Sequence, residues 1–459
     1  MQGLFAIVGL TLKAAIRYRV VIVLSFLLLA SVVVLPLMIK HDGSAQGFTQ
    51  ILLTYTLSAI TFLLGFATLW IACGSLAREV QECQIQMLAV KPIARWKIWL
   101  GKWVGIVIIN AILLGVSSSA VYGITLWRAG QLSESQQEVL ENEIFVARGS
   151  ALPDYPDIEP YIDEYMAERL EENPNLVDMD PTYVRSQVEE QVKASQQVVR
   201  SAHIRRWSIP VSSPESVKDQ PMFLRVKFFT SRPYDTSTHN VVWQLGPPES
   251  PRRVQRQMDI APETPIEFEM PPNLLDADGN LIVDIYNDNQ EALLFPLEDG
   301  IEVLYKQGGF GWNYLRGMLV ILCWMGFLAA IGLAASSFLS FPVAAFVSIG
   351  ILIVGFSSGT LSQVIEQGGI GGINHETGRK DSASGLDYIA LPIAKGLLNV
   401  INLVKDFSPV SFLSTGRSIT VSILFQALTQ IVLVMGGIFA AFGIWAFYRS
   451  ELATAQGNQ

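Results

Sequence analysis

Residues 75–105 read SLAREVQECQIQMLAVKPIARWKIWLGKWVG, and the layout of the whole chain turns on them. Leu76, Val80, Cys83 and Met87 recur at steps of four, three and four. That spacing predicts one face of an α-helix, with Arg78, Glu79, Gln81, Glu82, Gln84 and Gln86 around the rest. Pro92 stops the helix, because its ring disfavours helical geometry at Lys91. It can itself open the next helix at the first position, where a missing N–H costs nothing. Arg95, Lys97 and Lys102 then alternate with Trp96, Trp99 and Trp103, side chains suited to the headgroup level of a bilayer. The stretch reads as a short amphipathic helix over about 75–92, a sharp turn, and the beginning of a membrane span. An ordinary positively charged cytoplasmic loop is the plainer reading. The order of the parts favours the first.

Outward from this stretch, composition separates three regions. The chain has 459 residues, 50% hydrophobic and only 16% charged, unusual for a soluble protein. Its formal charge of −9 averages two opposite parts. Residues 128–310 hold 32 acidic and 16 basic side chains, and the remainder holds 9 and 16. The middle is therefore an acidic, water-facing insertion between apolar, mildly basic flanks. Cys73, Cys83 and Cys323 all lie outside it, so it has no disulfide framework.

The flanks read as membrane helices. Lys13, Arg17 and Arg19 precede the apolar run Val20 to Ile39, which is too long for a signal peptide and has no small-residue cleavage site after it. The three cations hold the amino end in the cytoplasm. After a polar loop at 40–50, Ile51 to Cys73 forms a second span, and Val104 to Leu126 a third, ending at Trp127. From Gly317 to Ile365 no charge occurs over 49 residues. One helix of that length would measure roughly 73 Å, more than twice the hydrocarbon thickness. It must be a hairpin, turning at SSFLSFP, with spans at Gly317–Ser336 and Pro342–Phe356. Residues 386–407 are amphipathic but interrupted by Lys395, Lys405 and Asp406, as in a re-entrant or interface-lying segment. Ile419 to Phe447 is a sixth span, leaving both termini cytoplasmic.

The acidic insertion divides in two. Residues 131–202 are rich in Glu and Gln and predict helices, among them Pro181–Ala202 with Tyr183, Val188, Val192 and Val199 as apolar positions. From about 206 to 305, FLRVKFF, NVVWQLG, VQRQMDI, PIEFEM, LIVDIYN and IEVLY alternate between Pro, Gly and Asp clusters, the pattern of an antiparallel sandwich or small barrel. The expected architecture is an α-helical polytopic membrane protein of six transmembrane helices, carrying an inserted α+β extracytoplasmic domain of helical stalk plus β-sandwich. Its parts are residues 1–127, 128–310 and 311–459.

With the spans in place, REVQEC, KPIARWKIWLGKWVG and the terminal FYRSELA resemble the type-2 ABC exporter permeases, and most closely the branch named for maturation of multicopper enzymes. The family pattern is an acidic helix, then a proline and an arginine, then Gly-Lys leading into the third span. Glu79 and Glu82, Pro92 and Arg95, and Gly101 and Lys102 stand in those places. The resemblance covers about 270 residues, all in the membrane parts, and the large insertion departs from the minimal permease. It implies that Arg78, Glu79, Glu82, Pro92 and Arg95 form a coupling helix and turn that dock on an ATPase subunit. It also implies a homodimer or a paired permease in a bacterial inner membrane. No GxxxxGK[ST] loop occurs in the chain, so no cofactor is expected here, and ATP and magnesium would be held by the ATPase subunit. Membrane lipid and an extracytoplasmic protein are the other expected partners; nucleic acid is not. A polytopic scaffold or sensor whose β-sandwich binds a glycan or protein, without transport, is the competing reading.

Further signals are weaker. Asn110, Gln426 and Gln430 should avoid lipid, either lining a substrate path or bonding between helices. Gly101 and Gly105 form a GxxxG pair suited to close helix packing. Gly355 to Gly359 matches GxSxG, but at the end of a span rather than at a strand-to-helix elbow. Asp276-Ala277-Asp278-Gly279-Asn280 resembles a fragment of a calcium loop, and a β-turn accounts for it better. The histidines at 41, 203, 239 and 375 are scattered. In a Cys83→Ser background, a cysteine placed at Ala89 should react with a membrane-impermeant maleimide only after intact cells are permeabilised. Labelling from outside would invert the layout.

Overall fold

The computed structural model describes residues 2–17, 20–38, 45–82, 93–155, 157–173, 181–212, 214–230, 232, 237–297, 299–356, 396 and 407–449. The chain divides into two compact units, one of residues 1–147, 309–362 and 393–459, the other of 148–308 and 363–392.

The first unit is helical. Its elements are α1 (Gln2–Arg17), α2 (Val20–Met38), α3 (Ala45–Gln81), α4 (Arg95–Ala129), α5 (Glu134–Glu143), α9 (Phe310–Ser336), α10 (Phe341–Phe356) and α11 (Pro409–Ser414). The last long helix comprises α12 (Val421–Ala427), a π-helical segment (Leu428–Gly436) and α13 (Gly437–Arg449). Among the described residues, four helices are long and apolar enough to cross a membrane: Thr49–Gln81, Arg95–Ala129, Phe310–Ser336 and Val421–Arg449. The number reaches five if α1 and α2, bent by 69°, count as one span; Phe341–Ile353 is a shorter apolar helix. Hydroxyls within these helices bond to their own backbone, as Thr56 Oγ1 does to Leu52 O (2.6 Å), Ser117 Oγ to Leu113 O (2.8 Å) and Thr125 Oγ1 to Val121 O (2.7 Å). Each thereby satisfies its donor without water. Helix α9 is central, with 78% of its apolar stretch buried against 28% for the last helix.

Several boundaries differ from expectation. The second span does not end at Cys73: α3 continues to Gln81, so Ser75–Gln81 extends a span instead of beginning a separate surface helix. Nothing between Ala45 and Gln81 interrupts helical geometry, and Leu76 is fully buried. The polar loop is correspondingly shorter, since α3 starts at Ala45. Pro92 does not open the third helix, whose first residue is Arg95 behind the extended Ala94. Residues 83–92, with Cys83, Met87 and Pro92, lie outside the described residues, as do 357–395 and 397–406 with the expected amphipathic segment. The inserted domain begins at 148 rather than 128, because Leu140 and Ile144 at the end of α5 bury in the same core as Phe310, Tyr314 and Ile419.

The second unit is β-rich. Helices α6 (Glu159–Glu172) and α7 (Pro181–Gln197) pair through Ile162, Val188 and Val192, two of which were the expected apolar positions. Helix α7 stops at Gln197, and Val199 lies in a strand. One sheet orders β1 (Val146–Ala151), β11 (Ile301–Gly309), β4 (Met222–Val226) and β8 (Ile266–Met270). A second orders β3 (Ile204–Pro210), β9 (Asn280–Asn287), β6 (His239–Leu245) and β7 (Val254–Ile260). A third, small sheet orders β2 (Val198–Val199), β10 (Leu293–Leu294) and β5 (Phe229–Thr230), and a short helix, α8 (Pro214–Val217), follows β3. The pairs β3–β9, β6–β9, β6–β7, β4–β8 and β4–β11 are antiparallel. Leu224, Val226, Met270 and Val303 of the first sheet and Trp207, Val241, Trp243 and Val283 of the second bury in one core, which makes the pair of sheets a sandwich. Strand β1 corrects the expectation of helix throughout 131–202, since VARGSA alternates too little to read as a strand alone. The DADGN stretch is a turn: Gly279 sits at φ +83°, and Asp276 Oδ1 accepts from the backbone N–H of Asp278 and Asn280.

On the outer face of the second sheet, Asp284 is nearly inaccessible and takes both Nε and Nη2 of Arg206 at 2.8 Å, with Arg253 as a further donor. Burial pushes its pKa up, but the Arg206 and Arg253 hydrogen bonds and charges outweigh that and hold it below the usual carboxylate value. A depressed carboxyl stabilises the fold above its unfolded pKa of about 3.9 and loses that contribution as pH falls through the folded value. Asp284→Asn should therefore destabilise the β unit by about 2 kcal/mol at neutral pH. The difference from wild type should shrink below about pH 4, as read by hydrogen exchange of β3 and β9 in the full chain.

Candidate functional site

The residues singled out around the connector gather at one end of the helical unit. Helix α3 ends there and α4 begins there, and the two are pinned by Lys102, whose Nζ donates to Glu79 Oε1 at 2.6 Å and to Ser75 O at 2.7 Å. The Lys102 side chain is 3% exposed and that of Glu79 21%. An ammonium so far from water is tolerated only with a charged partner and further acceptors, and the Ser75 carbonyl supplies one. The same spot takes in α1. Gly101 and Gly105 pass so near α1 that an added Cβ would lie 2.9 Å from Ile7 Cγ2 and 2.8 Å from Thr11 Cβ. A cavity of about 50 Å³ remains beside the ion pair, bounded by Thr11, Trp70, Ser75, Arg78, Glu79 and Lys102. Glu79 Oε2 is buried there without a hydrogen bond among the described residues, and the space is large enough for a water to serve it.

Two arginines tie in the neighbouring helices. Arg95, in the first turn of α4, donates through Nη1 to the carbonyls of Phe447 (2.8 Å) and Tyr448 (2.9 Å) in the last turn of α13. The carbonyls of a helix's last turn are exposed for such donors, and a cation there also meets the negative end of the helix dipole. Arg78 lies over the Phe341 ring at 4.1 Å, and Phe341 meets Trp70 edge-on at 5.2 Å. Glu82 is exposed at the end of α3, its N–H bonded to Arg78 O. So α1, α3, α4, α10 and α13 are joined at one charged end, and the described chain leaves that end at Glu82 and returns at Ile93.

The other candidates separate. Asn110 is buried between α3, α4 and α9, with Thr68 Oγ1 3.0 Å from its Oδ1 and Met325 Sδ close to the same hydroxyl. Its Nδ2 is buried without a partner among the described residues. Gln426 is exposed and Gln430 half-buried, and neither makes a hydrogen bond among the described residues. Gln426 lies in α12 and Gln430 in the π-helical segment that follows it. Sequence reasoning missed Asn313, which donates to Arg417 O (2.7 Å) and accepts from Ile419 N–H (2.7 Å). Its place beside Trp312 and Arg316 suggested only a span end. It also missed Thr68 and Phe341, whose types are common in any span.

No family model, no curated protein and no solved structure matches the chain.

Because Lys102 is the more deeply buried partner, Glu79→Gln alone should lower thermal stability in detergent by about 3 kcal/mol, leaving an unpaired buried cation. Glu79→Gln combined with Lys102→Met should recover most of that loss. A double variant as unstable as the single would show that the pair is not the fastening.

Proposed function

We propose that this chain is the permease subunit of an ABC transporter, an exporter, worked by a separate ATPase subunit that docks on the connector between the second and third spans. One observation carries the reading. The connector is anchored at both ends in a charged knot of five helices, through Glu79–Lys102, Arg78–Phe341 and Arg95–Phe447. A force applied at those two ends is passed to packed helices. A permease without a nucleotide site of its own needs such a handle, and the exposed Glu82 where the connector begins offers it a polar docking contact.

On this reading the bent pair α1–α2 is one span and α10 another, which with the four long helices brings the number to six. Both termini and the connector face the cytoplasm of a bacterial inner membrane, and the β unit stands on the opposite side. Two copies, or this chain with a related permease, enclose the path. ATP and magnesium belong to the ATPase subunit; this chain needs no cofactor and catalyses no reaction. Asn110, at mid-span with an unpaired amide donor, is the polar group best placed to change partner as the helices move.

The competing scaffold or sensor reading draws on the β unit, whose sandwich has a complete core of its own and could bind an extracytoplasmic protein or glycan without transport. Isolation in mild detergent discriminates: the permease reading requires a co-purifying ATPase subunit. Glu82→Lys and Arg95→Ala should then lower the dependence of ATP turnover on the permease several-fold while leaving membrane insertion intact. Unchanged coupling in both variants would remove the docking assignment.

A further inference from the structure

A groove of about 540 Å³ runs along the helical unit between α4 and α9, well away from the charged knot. Its α4 side is floored by small residues, Ala111, Gly115 and Ser119, and its α9 side is walled by Leu315, Leu319 and Leu322. The two helices are antiparallel and touch at two levels, beside the groove where Tyr314 Oη donates to Ser118 O at 2.8 Å and past its Ala111 end where Trp103 Nε1 donates to Gly326 O at 2.8 Å. The groove is therefore a channel over a helix contact. It extends from Tyr122 to Ala111 on α4, which at 1.5 Å per residue is about 17 Å. That is close to half the hydrocarbon thickness of about 30 Å.

Its polarity has a direction. Tyr122 and Ser119 stand at one end, and Leu114, Met318 and Leu322 at the other. Trp127 lies beyond the polar end and Trp312 level with it, 63% and 71% exposed, the side chains expected at a membrane–water boundary. The apolar end lies at the level of Ala111, nine positions from Lys102 at the opposite boundary, and so near mid-membrane. We infer that this groove holds one acyl chain of a bilayer phospholipid, from the leaflet on the Trp127–Trp312 side, with its glycerol end at Tyr122 and its methyl end at Leu322. The length and the order of polar and apolar lining both fit a lipid tail, and the occupant is supplied by the surroundings. The inference rests on the chain being embedded in a bilayer and is independent of the transporter reading.

Gly115 allows a direct test, because a Cβ built there meets nothing within 4 Å. The full chain is reconstituted in phosphatidylethanolamine–phosphatidylglycerol vesicles containing a phosphatidylcholine with a diazirine on one acyl chain. After irradiation, label per residue is compared between 111–122 with 311–322 and the exposed face of 438–445. The groove segments should take several-fold more label. Gly115→Phe should reduce that excess several-fold without changing label on 438–445, and Ser119→Leu serves where the first variant does not fold. Absence of label on 438–445 would mean that the chain is not in the bilayer, which overturns the inference at its premise. Equal label on groove and reference face, or an excess indifferent to both substitutions, overturns the site itself. So does a disulfide between two copies of Gly115→Cys at wild-type expression, since a second chain would then fill the groove.

Discussion

A lysine ammonium with almost no access to solvent fixes the helical unit. Lys102 would cost several kcal/mol in that position without a partner, so α3 must bring Glu79 and the Ser75 carbonyl to it. This requires α3 to stay helical past the end of its apolar run, which sets the 37-residue length of that helix. The same requirement places the start of α4, and with it Arg95, level with the final turn of α13. Glycines at 101 and 105 let α1 lie across this point at near backbone distance, so the amino-terminal helix closes one side of the ion pair. A single desolvated charge thus accounts for three helix ends and one crossing.

The apolar helices were legible in the sequence because their signal is long and one-signed. The hairpin at Ser337–Ser340 followed from length alone: an uncharged run too long for one crossing has to fold back. The β-sandwich was legible for a different reason. Residues such as Val241, Trp243 and Leu245 are buried and alternate with the less buried Asn240, Val242 and Gln244, and that period belongs to a sheet with one buried face. Strand β1 failed this test because its burial is nearly continuous, with Arg148 buried in an ion pair to Glu267. A buried arginine in a strand looks like a solvated charge until its partners across three strands are known. Glu302 and Glu267 bracket Arg225 in the same cluster, and no local pattern announces a network assembled from residues that far apart.

The connector shows where periodicity misleads. Leu76 and Val80 do lie on one face, but the face belongs to α3 and packs inside the unit, where Leu76 is fully buried. An amphipathic stripe at the end of a membrane helix has two physical origins, a bundle emerging from lipid into water and a helix lying on the surface. Both produce apolar positions at steps of three and four. What separates them is the presence of a break between the span and the stripe, and Ala72 to Ser75 contains none strong enough to stop a helix. Gly74 is the only weak point, and its neighbours on both sides favour continuation.

That continuity changes what the connector can do. A separate surface helix would be joined to the second span by a flexible joint, and a push on it would first bend the joint. A stiff extension of α3 acts as a lever whose short arm carries Glu82 and whose fulcrum is the Glu79–Lys102 pair. Motion of the arm has to rotate α3 about that pair or break it. Rotation carries Thr68 with it, three turns along the same helix, and Thr68 is the residue that meets Asn110 between α3, α4 and α9. Asn110 stands on α4, so a movement of α3 against α4 would act directly on this buried amide, whose Nδ2 has no partner among the described residues. The Glu79–Lys102 ion pair and the Thr68–Asn110 contact thus join the same two helices, α3 and α4, at two levels.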